Sequence, residues 1–573
     1  MDLIDSLIFV FIMLAISVMG IYFSRRKQTR SSQDALIGSN VSVLSIALSV
    51  CSSFLSAVSL LGFPAEVYFR GSTPLWFNVV YIIAFPIVAY VFLPVFYHLR
   101  LSSIYEYLER RFSYASRILA SSTFILQTIF YLAVALYAPS LALAQALNFP
   151  IFLSILITSS ISAVYLLLGG ARGGIYTSAL QMALILISLF TICCAILFEF
   201  EPMEIYTRSK KALRLETTDT RFNPQVRHSI FAFLIGGSGN IFSLFAVNHL
   251  TLQRYMVMPT LRQAQKVVLL NIPMNALMAV MYTFMGLAMY AVYYDCHPKV
   301  GAPDQMLPFF VENHLNWLVG LEGVFVAAVY SAGISTLTAS YNALTAVVLE
   351  DIVKTMWPKV KKEGQIINSE MHIRIIQILP FVFAAVATIL AMAVKSLDTM
   401  VLQIAFSIFG AAGGAILAVF VIGLFCPKIT NPYAALVAQV CTLLVSIWVA
   451  AGSLVYNVVP VNLPLSDHCR NSSSPLEFEW EERFGTVMAN NDSGIWLEVS
   501  KISYQYYCVV AVVVCVVVGH IAQFTFYLVS DSAPVELNRN LLAFAPRVKP
   551  PNIIIEAPES QCLSKHCSIN EEE

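Results

Sequence analysis

Charge is what this sequence has little of. Only 12% of its 573 residues are Asp, Glu, Lys or Arg, against about a quarter in an ordinary soluble domain. From Ile118 to Ala171 there is none at all, enough for two bilayer crossings of about 20 residues each. A water-soluble globular fold is thereby excluded. Basic and acidic residues balance at 34 each, which leaves no electrostatic case for nucleic acid. Also missing are a phosphate-binding loop, a His/Cys cluster with metal-ligand spacing and a nucleophile–base arrangement, so no enzyme and no cofactor is expected. The lone His249, beside Asn248, reads as structural rather than as a proton relay. The first apolar run, 6–24, lacks the small-residue cleavage site of a signal peptide and is too long for one, so it counts as a helix.

Apolar residues make up 58% of the chain, and the expected fold is an all-α polytopic membrane protein. The runs place about 13 spans at 6–24, 43–65, 76–97, 118–140, 150–169, 177–198, 229–251, 268–293, 320–348, 375–395, 400–425, 433–453 and 504–530. Lys and Arg concentrate in alternate loops: Arg25, Arg26, Lys27 and Arg30; Arg100, Arg110, Arg111 and Arg117; Arg172; Arg254, Arg262 and Lys266; Lys354, Lys359, Lys361 and Lys362. Those loops are expected in the cytoplasm, with the N-terminus outside and the tail 531–573 inside, disordered and solvated. The long loop 454–503 then falls outside. It carries two glycosylation sequons, at Asn471 and Asn491. Cys296 and Cys469 also lie in exterior loops, where oxidising conditions permit a disulfide, although sequence alone does not show that they meet.

Two features point into the membrane. The run from Val329 to Asn342 (VYSAGISTLTASYN) sets hydroxyls along one face of an apolar helix. They either bond carbonyls a turn earlier or coordinate something that crosses. Spans 2 and 7 are interrupted: the second holds Ser52, Ser53, Ser56, Ser59, Gly62 and Pro64, and the seventh opens with Gly236-Gly237-Ser238-Gly239-Asn240. Each Gly inside a helix costs nearly 1 kcal/mol relative to Ala. Close helix packing would explain such a run, as would a broken helix lining a cavity. The two spans are the first members of successive five-helix blocks, about 43–198 and 229–425. That spacing favours the broken helix and an inverted-repeat transporter. Spans 433–530 are peripheral to that core, and 1–530 forms one transmembrane domain.

The polar positions make a resemblance specific. Phe54 to Tyr68 (FLSAVSLLGFPAEVY), Leu93 to Tyr97 (LPVFY), Ile104 to Phe112 (IYEYLERRF), Leu136 to Pro139 (LYAP), Val247-Asn248, Gln253-Arg254-Tyr255, and Ser335-Thr336 running on to Leu349 to Ile352 (LEDI) resemble the sodium/solute symporter family. The likeness is strongest to the branch of the sodium-coupled monocarboxylate, sodium-dependent multivitamin and sodium/iodide symporters. It extends over nearly the whole chain and fades in 454–503 and the tail.

The resemblance implies a five-plus-five inverted-repeat (LeuT-like) core. It implies a sodium site made of the carbonyls of Ser52, Leu55 and Ala332 with the hydroxyls of Ser335 and Thr336. A second cation or substrate region is expected at Ser53, Ser56, Ser59 and Gln181, where Ser178 stands in the place that relatives generally give to Asp. Ser56, Ser59, Gly237, Ser238 and Asn240, with Tyr81 and Phe406 as aromatic walls, are the substrate candidates, although both rings are also ordinary packing residues. The implied function is sodium-coupled import of a small organic anion, with a monocarboxylate favoured, across the plasma membrane. The alternatives are a vitamin (biotin or pantothenate) or inorganic anion symporter, or a weakly coupled sodium-conducting sensor on the same scaffold. The partners implied are sodium, the solute and the bilayer.

Overall fold

The computed structural model describes residues 2–25, 41–147, 149–355, 369–394, 400–456, 458, 462–463, 465, 495–529 and 539–544, and among these every regular element is helical. The membrane helices are α1 (Leu3–Arg25), α2 (Val43–Phe54), α3 (Ala57–Arg70), α4 (Thr73–Leu99), α5 (Tyr114–Leu147), α6 (Ile151–Glu199), α7 (Ala232–Phe245) and α8 (His249–Tyr255). They continue with α9 (Leu261–Val292), α10 (Leu321–Val353), α11 (Ser369–Val394), α12 (Val401–Phe425), α13 (Pro432–Val455) and α14 (Tyr504–Val529). Among the described residues, ten stretches are long and apolar enough to cross a membrane, or twelve when α2–α3 and α7–α8 each count as one bent span. The one expected span left over, the fifth at 150–169, corresponds to the shorter apolar stretch Ile151–Leu166.

That shorter stretch is joined to the next without a non-helical residue, where a loop is expected. The axis nevertheless folds back. A Cβ on Gly20 would meet both the Tyr165 hydroxyl, at 3.1 Å, and Thr177 Cγ2, at 2.8 Å. On a straight helix those two residues stand about 18 Å apart along the axis.

Both expected interruptions exist, with bends of 60° between α2 and α3 and 61° between α7 and α8. The first falls at Leu55, whose ψ of 70° leaves the helical pattern, and at extended Ser56, whose hydroxyl caps α3 by accepting the Val58 N–H at 3.2 Å. The second corrects the sequence reading. The chain stays helical through Gly236–Asn240, as a π turn (Ala232–Gly237) followed by α-helix. It breaks instead before Asn248, whose Oδ1 accepts the Leu250 N–H at 2.9 Å. The glycines serve close packing on α14: a Cβ on Gly236 would collide with the Gln505 carbonyl, and one on Gly239 would meet Cys508 Cβ at 2.9 Å.

At one end of the bundle, the last turn of α10 is anchored by Asp351. It accepts from Arg117 Nε (2.8 Å), Ser103 Oγ (2.7 Å) and Ser121 Oγ (2.8 Å), while Arg117 also reaches Glu109 at 2.6 Å. Cys296 is disulfide-bonded. Its partner is outside the described residues, because the seven other described cysteines are free. Cys469, Asn471, Asn491 and all but 539–544 of the tail also lie outside the described residues.

Asp351 is fully buried and Arg117 8% exposed. Asp351→Ala is therefore expected to lower stability by about 3 kcal/mol, because Arg117 keeps only the more exposed carboxylate of Glu109 and the hydroxyls of Ser103 and Ser121 lose their buried acceptor. The drop should appear in the thermal midpoint of the protein in detergent; an unchanged midpoint would remove the anchor from this account.

Candidate functional site

The break at Leu55–Ser56 exposes the last carbonyls of α2, which have no partner within their own helix. Facing them is the hydroxyl run on α10. Its members take different parts. Thr338, and Thr345 just beyond the run, bond carbonyls a turn earlier, Ile334 and Tyr341, at 2.8 Å. Ser335 reaches across, and Thr336 does both. Ser52 Oγ donates to Ser335 Oγ (2.9 Å), which donates to Ser178 Oγ on α6 (2.9 Å). Thr336 Oγ1 bonds the Ala332 carbonyl (3.1 Å) and the Ser53 carbonyl (3.2 Å). Ser52, Ser178, Ala332, Ser335 and Thr336 are all buried, and Leu55 is buried at the bend itself. Three helices thus converge in a cluster of neutral oxygens. Oxygen without formal charge suits a hard monovalent cation.

Two expected groupings change. Ser178 is expected in the second region with Ser53, Ser56 and Ser59, yet it bonds Ser335 and so belongs to the first cluster. Ser53 is divided between two roles: its carbonyl meets Thr336, while its hydroxyl donates to the Ser49 carbonyl (3.0 Å) and accepts from Arg254 Nη1. Arg254 also donates to the Ser49 carbonyl at 2.6 Å, tying α8 to α2. Gln181, one turn beyond Ser178, is buried with its Nε2 unpartnered. His249 packs beside the rings of Tyr105 and Phe124, with its centroid 6.4 Å from each.

Beside the break lies a cavity of about 70 Å³. Its walls come from α2, α3, α4, α7, α9 and α12 and include the expected Leu55, Ser59, Tyr81 and Phe406. Phe77 stacks on both Tyr81 (5.9 Å) and Phe406 (5.8 Å), which makes one aromatic wall. The polar lining is Ser59, Tyr81, Asn275 and Tyr282, without an ionisable carboxylate or cation. Ser59 Oγ donates to the Ser56 carbonyl (2.9 Å), and Ser56 Oγ accepts from Tyr131 (3.3 Å).

Gly237, Ser238 and Asn240 are not part of the lining. Gly237 packs on Phe77, Ser238 Oγ bonds back to the Leu234 carbonyl at 2.5 Å, and Asn240 pairs with Gln505 at 3.0 Å on α14. Gly236, Gly239 and Asn240 thus face α14, while Gly237 lies behind the cavity-wall residue Phe77. Sequence reasoning missed Asn275, which appears as one Asn within a long apolar helix.

An ion cluster caps the cavity at the Glu66 end. Glu66, one turn beyond the lining residue Phe63, pairs with Arg70 (2.6 Å) and Arg227 (3.1 Å). Arg227 Nη1 also donates to Gln403 Oε1 (2.8 Å), and its guanidinium lies 4.9 Å from the centre of the Tyr504 ring. Tyr504 stacks in turn on Phe406 at 6.1 Å. His228 sits 3.6 Å from Glu66; burial pulls its imidazole down to about 3 against the opposing pull of that carboxylate. Asp304 Oδ2 accepts the Val401 N–H (3.1 Å), and burial raises this carboxyl to about 7. No short-range motif announces the cluster, because its members come from α3, α12, α14 and two loops.

The model of the sodium:solute symporter family matches residues 35–441. The chain is 32% identical over 558 residues to sodium-coupled monocarboxylate transporter 1 of Xenopus laevis, covering 94% of this chain and 87% of that protein. It is 34% identical over 470 residues to the Homo sapiens protein of the same name, with 80% and 75% covered. It is also 29% identical to a putative sodium-dependent multivitamin transporter of Drosophila melanogaster, with 90% and 86% covered. Among solved structures it resembles a substrate-bound, outward-open Na+-coupled sialic acid symporter, with a TM-score of 0.74 at 21% identity over 94% of this chain and 100% of that one. That likeness is one of fold.

Ser52→Ala and Ser335→Ala remove the same cross-helix bond. A double-mutant cycle on unfolding is expected to show them non-additive by about 1 kcal/mol. Strict additivity would mean that the two hydroxyls do not interact.

Proposed function

The chain belongs to the sodium:solute symporter family, with sodium as the coupling ion, and from that premise we propose that it imports a small organic monocarboxylate across the plasma membrane by alternating access. The reading rests on one arrangement: neutral oxygens of Ser52, Ser178 and Ser335, with the carbonyls at the α2 break, stand next to a small aromatic cavity. The names of the relatives at 32% and 34% identity favour a monocarboxylate over a vitamin.

The alternation of basic loops puts the Glu66 end outside and the Asp351 end in the cytoplasm, with the N-terminus external. Sodium entering from outside would take the carbonyls of Ser52, Leu55 and Ala332 and the hydroxyls of Ser335 and Thr336, joining α2 to α10. This stabilises the form that binds solute. Low internal sodium would then empty the site, release the α2–α10 bridge and free the solute. No bond is made or broken chemically; the sodium gradient supplies the driving force. Arg254, holding Ser49 and Ser53, would close the inward side until that release.

Radiolabelled lactate, pyruvate, short fatty acids, biotin, pantothenate and iodide should be offered in sodium and in choline buffer. Sodium-dependent uptake of a monocarboxylate is expected; current without uptake would favour the sodium-conducting sensor. Thr336→Val and Ser335→Ala are expected to raise the half-saturating sodium concentration about tenfold, the loss of roughly one charge-assisted contact of about 1.5 kcal/mol. Thr338→Val, whose hydroxyl serves its own helix, should leave it nearly unchanged. Ser178→Asp adds a carboxylate to the oxygen cluster and should steepen sodium activation or lower its half-saturation. Identical activation curves would remove Ser178 from the ion site.

A further inference from the structure

The cavity walls are neutral, yet the cluster that caps them is not balanced. Two guanidiniums, Arg70 and Arg227, share the single carboxylate of Glu66, and all three side chains are at most 12% exposed. His228 adds no charge, since burial keeps it unprotonated. Asp304 completes the set. Facing it are Glu66 and Arg70 from α3 and Tyr137 from α5, and the Val401 N–H from α12 is its bonded neighbour. While Asp304 holds its proton, the cluster carries one surplus positive charge in a water-poor setting, where an unpaired cation is costly.

Two atoms register the imbalance directly. Arg70 Nε is a buried donor without a partner, and Asp304 Oδ1 is a buried acceptor without one. Arg227 spends one of its amino groups on a neutral amide, Gln403. A carboxylate in the place of that amide would form a charge-assisted bond about twice as strong. Gln403 stands between Leu402 and Phe406, both of which line the cavity, so the exchange would take place at its mouth.

We propose that Arg227 receives the carboxylate group of the incoming solute at the mouth of the cavity, exchanging Gln403 for it, while Glu66 and Arg70 remain as the resident pair that closes the mouth behind it. This rests on the reading of the chain as a carboxylate symporter. It assigns anion selection to the entrance and leaves the aromatic cavity to judge the size of the apolar part. It also gives capture a proton dependence of definite sign. Burial raises the Asp304 carboxyl from 3.8 to about 7. The surplus charge is therefore present below that pH and is cancelled as Asp304 ionises above it, while small monocarboxylates stay ionised throughout.

The test uses the full chain in cells, with the best transported member of a panel of radiolabelled lactate, pyruvate, butyrate and nicotinate as probe. Arg227→Gln is expected to raise the half-saturating solute concentration at least tenfold while the half-saturating sodium concentration stays within about twofold, with Arg227→Lys between the two. Gln403→Leu, which removes the competing amide, should lower the half-saturating solute concentration. Between pH 6 and pH 8 that concentration should rise severalfold in the wild type and stay flat in Asp304→Asn. Arg227→Gln at the cell surface with unchanged solute half-saturation overturns the proposal. If that variant does not reach the surface, unchanged solute half-saturation in Gln403→Leu together with a wild-type pH profile in Asp304→Asn overturns it. Wild-type protein that takes up none of the panel in sodium overturns the functional reading and this inference with it, whereas sodium-dependent uptake with unaltered variants overturns the inference alone.

Discussion

A helix broken in the middle of a bilayer leaves backbone groups that lipid cannot satisfy, and the rest of this molecule is arranged around that debt. At Leu55–Ser56 the carbonyls of α2 are met from one side by Thr336 and the hydroxyls by Ser335. The break is stable only where another helix supplies polar atoms at the right depth, so α10 has to lie against α2. Once α10 is fixed there, Ser335 lies within reach of α6, and Ser178 joins the cluster. The cavity then occupies the space beside the bend, between α2, α3 and their neighbours.

The two ends of the bundle are closed by different chemistry. At the Asp351 end, one guanidinium and two hydroxyls satisfy one carboxylate, a pairing that holds helices at fixed positions. At the Glu66 end, charges are shared unevenly and two polar atoms lack partners. Electrostatics thus separate a finished joint from one that can be re-made. Arg254 belongs to a third kind of contact, in which a guanidinium is held by a carbonyl and a hydroxyl, with no ion pair among the described residues.

Sequence reached the membrane class, the helical fold and the two interrupted spans, because hydropathy and helix-breaking residues are local signals. It also singled out Ser335 and Thr336, as hydroxyls on one helical face, and the structure brings both against α2. It misplaced the second break, since Gly236 and Gly239 look the same in a sequence whether a glycine ends a helix or lets Gln505 and Cys508 come close. The separation of spans 5 and 6 was legible as a Gly-rich stretch, but the structure carries helix through it. Arg227, Asp304 and Asn275 were not singled out. Their roles depend on partners such as Glu66, 161 residues away from Arg227, and no periodicity encodes such a pairing. Ser178 was noticed for what it is not, and only its bond to Ser335 shows which cluster it serves.

Ser53 has a consequence of its own. Its carbonyl is held by Thr336 and its hydroxyl by Arg254, so a single residue belongs both to the α2–α10 contact and to the clamp from α8. A displacement of α8 large enough to withdraw Arg254 pulls on the same peptide unit that faces the break. On the sodium reading, emptying the ion site and unlatching the inner side are thus two ends of one movement. On the same reading slippage would be limited, because an ion leaving inward would disturb the contact by which Arg254 closes the inner side.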